Sequence, residues 1–542
     1  MIVVPLSICR EHPKNQMSTL TSSPDFPVEH GAPRVAAVID IGSTSIRMAI
    51  AEINLGGEVR TLDRLSQPLD LGREAFENRR LSRKSIEKSA AVLQGYQRVL
   101  QEYGIKPADV RVVATTAVRE ASNRLAFADR IYVATGLNVE PIDEAEVNRI
   151  TYMGVMPHLQ AHPNLADGKS LVVEVGGGNT EMLLVRGGNV LKSQSFRLGS
   201  LRLLRTLKEI RLSATRRRAM MESHIRRAWT RLTDDMQDGT PVHVVAIGGD
   251  IRFAVKHLLK EGDGNSLAEL STSSLEKFTS KILTLDEDAI VRRYGASFSE
   301  AETLGPALLV YTMLARHFSL DQIFVCDTNL RDGLLHDMAL GGGWTAEFRN
   351  QIVRSAISLG RKFDFDESHA RNVAELARKL FNQLQNAHLL DNRHEVILFV
   401  AALLHEIGLV VNVRSNHKHA LYLIRHSELF GLSEAELLQV GLVARYHRRA
   451  FPQPSHEDYG TLAQEYRVVV AKLAAILRLA IALDDTRSGR ILEIECSIEG
   501  KQLVINVPGV DDVSLEQIAM GENSGLFRDV FGMPVLLRAR RS

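Results

Sequence analysis

Hydrophobic and polar positions change rhythm three times along the chain. Residues 1–33 set Pro5, Pro13, Pro24, Pro27 and Pro33 among Ser and Thr with no apolar period, and read as a mobile tail. From Val35 short, continuous apolar runs take over. Val35–Ile39 ends in Asp40-Ile41-Gly42-Ser43-Thr44-Ser45 and Ile46–Ile53 follows, which predicts strand, tight loop, strand. Ser85–Tyr103 places Ile86, Leu93, Tyr96 and Leu100 on one helical face ahead of Gly104, and Val110–Ala114 is a further buried strand. The layout then returns. Leu171–Val175 delivers Glu174 into Gly176-Gly177-Gly178-Asn179-Thr180, and Glu181–Val185 runs back. A third strand, from Val242, ends in Gly248-Gly249-Asp250 before a helix. This echo predicts two α/β halves, each opening with an acid-x-Gly hairpin, facing each other across a cleft. After Trp344 the spacing is helical, over His369–Leu384, Val396–Leu409, Leu432–Tyr446 and Arg467–Leu483. Ile491, Ile494, Leu503, Ile505 and Val507 then alternate like short strands of a small α/β cap. The expected divisions are 34–150 and 151–345 for the halves, 346–490 for the helical domain and 491–542 for the cap.

Composition narrows the function classes. The 542 residues are 45% hydrophobic and 24% charged, which fits several packed domains and excludes a fibrous or wholly disordered chain. Lys plus Arg number 66 and Asp plus Glu 65, a balance of +1. Such a chain has no global attraction for nucleic acid or membrane, so an anion must be held by local sites. Arg216-Arg217-Arg218 with Arg226, Arg227 and Arg231 is the densest basic stretch; with Asp234 and Asp235 following, it reads as a solvated helix rather than a nucleic-acid surface. The longest apolar run, Val396–Leu404, is too short to span a bilayer. Cys9, Cys326 and Cys496 are too scattered for a disulfide framework or a Cys-based zinc site, and the expected location is the cytoplasm.

The loops themselves suit phosphate. Gly lets oxygen atoms approach backbone N–H groups, and hydroxyls add donors. A strand-end carboxylate repels phosphate directly; its natural task is to hold hydrated Mg²⁺ that bridges the oxygens. Either loop alone reads equally as a hairpin turn, and the duplication is what favours a ligand.

Seven segments, in order over most of residues 35–490, also resemble the exopolyphosphatase/guanosine pentaphosphate phosphatase (Ppx/GppA) family. They are Ala37–Ser45, Ala114–Ala121, Glu146–Arg149 with Met153-Gly154-Val155, Glu174–Glu181, Arg197–Arg202, Gly248–Arg252 and Asp327–Gly333. The resemblance implies two actin-like (ribonuclease H-like) lobes and Mg²⁺-dependent hydrolysis of a terminal phosphoanhydride in polyphosphate or guanosine pentaphosphate, by a homodimer. Position by position, it implies that Asp40 and Glu174 hold the metal. Gly42, Ser43, Thr44, Ser45, Gly176, Gly177, Gly178, Asn179, Thr180, Gly248 and Gly249 bind phosphate. Arg119 meets oxyanion charge, and Glu146 is the catalytic base. Val147 and Glu174 depart from the family pattern, which has a second glutamate and an aspartate there. A hydrocarbon accepts no proton, so these departures make a binding protein without turnover the alternative reading.

The helical region resembles the HD phosphohydrolase fold through His369, His405-Glu406, His417, His419 and His447. Glu406 takes the place of an Asp, and Ile481 stands where the final acid is expected, so these histidines are expected to be structural or to contact anion. Lys418, Arg445, His447, Arg448 and Arg449 read as a cationic track or a solvated face.

Overall fold

The computed structural model describes residues 34–205, 213–229, 241–259, 267–341, 344–448 and 450–540. The expected tail, Arg231, Asp234, Asp235 and Arg449 lie outside them. Two sheets follow one plan. In the first, β1 (Arg34–Ile41), β2 (Ser45–Ile53) and β3 (Val59–Pro68) form an antiparallel meander, and β4 (Val110–Ala114) and β5 (Val139–Pro141) extend it in parallel, in the order β3-β2-β1-β4-β5. In the second, β6 (Lys169–Val175), β7 (Thr180–Arg186) and β8 (Asn189–Phe196) form the meander. There β9 (Val242–Ile247) joins β6 in parallel, β11 (Gln322–Cys326) joins β9, and β10 (Leu267–Ser271) closes the far edge. The unbroken apolar runs of β1 and β6 are explained by burial on both faces of each sheet.

Helices Arg83–Glu102 and Arg124–Thr135 cover one face of the first sheet through Leu93, Tyr96, Phe127 and Ile131. The opposite face, with Val38, Ala49 and Val113, is covered by Ile150 of helix Glu144–Ala161 and by Leu334 and Leu335 of helix Leu330–Ala339. The first of these helices runs through residue 150, where the sequence places a division. The second comes from the stretch assigned to the other half, so the chain crosses into the second lobe and returns. In that lobe, helix Phe298–His317 packs on Val173, Val244 and Ala246.

Six longer helices, Ala346–Lys362, Glu367–Gln383, Asn392–Leu404, Asn416–Arg425, Glu434–Arg445 and Gln464–Leu483, build the helical domain. The cap strands β12 (Glu495–Glu499), β13 (Gln502–Pro508) and β14 (Val535–Arg540) share its hydrophobic core through Leu503, Ile505 and Leu537. No described helix is long and apolar enough to cross a membrane. The basic helix Ala214–Trp229 buries Trp229 and pairs Arg218 and Arg226 with Glu222.

Candidate active site

The two hairpins close with the same turn. Gly42 N–H donates to Ser45 O at 3.0 Å, and Gly176 N–H donates to Asn179 O at 2.9 Å. The turns then meet each other. A Cβ on Gly177 would stand 3.0 Å from Ser43 Cβ, so a side chain there would push the lobes apart. Asp40 and Glu174 therefore face one crevice of about 180 Å³. Gly42, Ser43, Thr44, Ser45, Arg119, Gly176, Gly177, Gly178, Asn179, Gly248 and Gly249 also line it, as the sequence places them.

Two expected residues do not. Glu146 points away from the cleft, into a network in which Arg149 donates to both its oxygens at 2.8 Å and Arg111 donates at 3.1 Å. Burial opposes its charge, but Arg149 and Arg111 prevail and hold the carboxyl below the usual carboxylate range. Both of its oxygens are thus committed to guanidiniums outside the crevice. Consecutive helical residues point about 100° apart, so it is Val147 that lines the cleft. Thr180 is fully buried and spends its hydroxyl on Leu198 O, which leaves phosphate no donor.

The structure adds residues the sequence reading passes over, and strand register explains them. Closure of each hairpin puts Asp40 opposite Arg47 and Glu174 opposite Glu181. Residues directly opposite share a face, so Arg47 and Glu181 enter the cleft with the two expected acids. An acid faces a base in one lobe, while two acids face each other in the second. Burial, aided by the Glu144 charge, pushes the Glu181 carboxyl up to about 8 against the opposing Ser195 hydroxyl and Arg119. Ser195 donates to its Oε1 at 2.9 Å, and its buried Oε2 has no partner. Burial likewise raises Glu174, opposed by Arg252 and aided by Asp40, and lifts Asp250 to about 6. Pairing arithmetic about each turn was the signal that could have found Glu181 and Arg47.

Tyr311 fixes the floor. Its buried hydroxyl accepts from Val175 N at 2.9 Å and donates to Ile247 O at 2.6 Å, tying the ends of β6 and β9 together. Gly248 follows at φ +117°, a conformation that glycine alone adopts readily, and opens helix Gly249–Leu258 towards the cleft. Arg119 reaches the rim from the short helix Thr116–Arg119, donating to Ile142 O and to Glu144, both at 3.1 Å.

Residues 49–341 match the Ppx/GppA phosphatase family, and residues 353–519 match domain III of the same family. The chain belongs to the Ppx/GppA phosphatase family. Among its Ppx/GppA relatives, the guanosine-5'-triphosphate,3'-diphosphate pyrophosphatase of Vibrio campbellii is 24% identical over 88% of this chain and 92% of its own. That of Vibrio vulnificus is 25% identical over 87% and 91%. The crystal structure of an exopolyphosphatase from Cytophaga hutchinsonii aligns with a TM-score of 0.52 at 20% identity, covering 57% of this chain and 98% of that one. The fold is thus the two-lobed actin-like one of Ppx/GppA proteins, extended by a helical domain.

In that helical domain Ile481 carries no acid to the histidines, but a neighbouring carboxylate reaches one of them. Helix Gln464–Leu483 ends at Asp484, one turn after Ile481, and Asp484 Oδ2 lies 2.7 Å from His369 Nδ1. Residues three apart share a helix face, so the acid reaches the cluster from its next turn. Burial holds His405 down at about 4 and His447 well below the ordinary histidine range, so both are neutral imidazoles. His447 is buried and cannot belong to a surface track with Lys418, Arg445 and Arg448.

Proposed function

We propose that this cleft hydrolyses the terminal phosphoanhydride of inorganic polyphosphate and releases orthophosphate. The convergence of both hairpin turns on a single crevice carries the reading. Its volume of about 180 Å³ is below the roughly 300–1,000 Å³ of sites that engulf whole organic ligands, so it takes phosphoryl groups end-on. A second substrate, guanosine pentaphosphate, is favoured by the names of the relatives that align over most of the chain. Its terminal phosphates would enter the same crevice with the nucleoside left outside.

The oxygen donors fit Mg²⁺. Buried Asp40 Oδ1 has no partner, while Oδ2 accepts from Arg331 at 3.2 Å, and Glu174 completes a pair of hard carboxylates across the crevice. Asp40 and Glu174 would hold the ion, which supplies charge neutralisation that lets a polyanion approach the carboxylates. Backbone N–H groups of Gly177, Gly178 and Gly249, with Arg47 and Arg119, position the terminal phosphoryl group. Glu181 takes the proton of water as the water oxygen bonds to phosphorus. The bond from phosphorus to the bridging oxygen breaks, and the shortened chain leaves with that oxygen as its new terminus.

Phosphate release measured in parallel on both substrates, with Mg²⁺ and with chelator, tests the proposal. Mg²⁺-dependent release is expected from polyphosphate; no release from either substrate would refute it. A companion variant probes Val147. At pH 7 only about a tenth of Glu181 is ionised if it titrates near 8, so Val147→Glu, which adds a carboxylate to the wall, should raise turnover by up to about tenfold. We also take the enzyme to be a cytoplasmic homodimer, and sedimentation velocity of the purified protein checks the oligomeric state.

A further inference from the structure

Glu144 opens helix Glu144–Ala161 and stands three positions before Val147, so it lies on the helix side on which Val147 lines the cleft. A single oxygen of Glu144, Oε1, joins the two lobes at the rim. It accepts from Arg119 of the first lobe at 3.1 Å and from Asn179 Nδ2, in the hairpin turn of the second, at 2.9 Å. A carboxylate only accepts, so it fixes which way the amide of Asn179, 4% exposed, is turned. The same Nδ2 donates to Ser195 Oγ at 3.1 Å. A hydroxyl has one hydrogen, and Ser195, accepting from Asn179, spends it on Glu181 Oε1 at 2.9 Å. The other oxygen of Glu181, Oε2, is buried and has no partner. In the series Glu144, Asn179, Ser195, Glu181, each hydrogen bond thus has its direction set by the one before. Without Glu144 the amide is free to turn over and offer Oδ1 to Ser195, whose hydrogen would then leave Glu181.

We propose that Glu144 is a positioning residue for hydrolysis in this cleft: through Asn179 and Ser195 it fixes the rotamer of Glu181 and leaves Oε2 as the oxygen that receives the proton of water. The inference rests on the reading of Glu181 as the base. The side chain of Glu144 is 47% exposed, and an ion pair at such a place contributes little to stability, so its removal acts on turnover and not on folding. The lobes keep other ties. Arg202 donates to both oxygens of Glu120, at 2.9 Å and 3.0 Å, and Ser299 donates to Thr44 O at 3.2 Å. Arg119 likewise keeps its bond to Ile142 O. What the loss of Glu144 alters is the direction of the series, and a misplacement of the base by about 1 Å is enough to cost about 100-fold in rate.

The test compares phosphate release from polyphosphate by the full-length wild type, Glu144→Ala, Glu144→Gln, Glu181→Gln and the double variant Glu144→Ala/Glu181→Gln, with kcat and KM determined separately. Circular dichroism checks that each is folded. Glu144→Ala should lower kcat by about 10- to 100-fold with KM changed by less than about threefold. Glu144→Gln, whose amide oxygen still accepts from Asn179, should recover most of that loss, which a loss of bulk or folding would not predict. Beside Glu181→Gln, the alanine should cost less than about threefold more, because its effect runs through the base. Folded Glu144→Ala with wild-type kcat overturns the proposal and leaves the reaction of the cleft standing. So does a loss that Glu144→Gln shares in full, or one that persists undiminished beside Glu181→Gln. Undiminished release by Glu181→Gln removes the base and the role of Glu144 with it, and a wild type that releases no phosphate removes the reaction as well.

Discussion

Glu181→Gln lowers phosphate release by about 10²- to 10⁴-fold, the usual contribution of a positioned general base, with little change in KM. The reason is geometric before it is electrostatic: the amide keeps the shape and the Ser195 contact but offers no basic oxygen in place of the buried, partnerless Oε2. The pH profile gives a second readout. Because the folded protein raises this carboxyl to about 8, the group holds its proton until that value, and its basic form grows as pH rises. Wild-type kcat should therefore climb from pH 6 to a plateau no higher than about 8 to 9, and the variant should lose that limb. A profile that rises near pH 4 to 5 and survives in Glu181→Gln would remove Glu181 from the mechanism.

Asp337→Ala destabilises the protein by about 3–5 kcal/mol, the cost of stripping one partner from a buried ion cluster. Asp337 is 1% exposed and accepts from Arg111 and from Arg149, each at 2.7 Å, and the same two guanidiniums clamp Glu146. Without it, Arg149 keeps Glu146 alone, and Arg111 keeps Glu146 and the exposed Glu140. Asp337→Asn, which keeps the hydrogen-bonding oxygen, should lose less. Thermal and urea unfolding measure both; a loss within about 0.5 kcal/mol, the range of ordinary surface changes, would show that the cluster does not secure the helix. Glu146→Gln should act through the same network, on stability first and on turnover only secondarily.

The hairpin loops were legible because their chemistry is local. An apolar run that ends in an acid, a glycine and small polar residues can do little except turn and offer donors, and the repetition told which turns matter. Glu146 was misplaced because motif position does not specify which side of a helix faces the cleft, and a rotation of one residue separates the clamped Glu146 from Val147 at the wall. Glu181 was passed over because it looked like the first residue of a returning strand, yet pairing across a four-residue turn already implied that it sits opposite Glu174. Asp484 was missed for the reverse reason. Ile481 matched the expected spacing, but the acid that reaches His369 is the one after the helix ends, and where a helix ends is among the least certain features of a sequence. Long-range placement was not legible at all. Nothing in Leu330–Ala339 announces that Leu334 and Leu335 belong to a sheet begun some three hundred residues earlier.

That returning segment has a practical consequence for anyone cutting the gene. A fragment ending before residue 330 would strip Leu334 and Leu335 from the face that carries Val38, Ala49 and Val113, and would take Asp337 from Arg111 and Arg149. The amino-terminal lobe is thus a non-contiguous module, severed in sequence and sealed only when distant translation products arrive. Expression of residues 34–150 alone should yield an aggregating polypeptide, whereas splicing Leu330–Ala339 behind Ala161 through a flexible tether should rescue solubility.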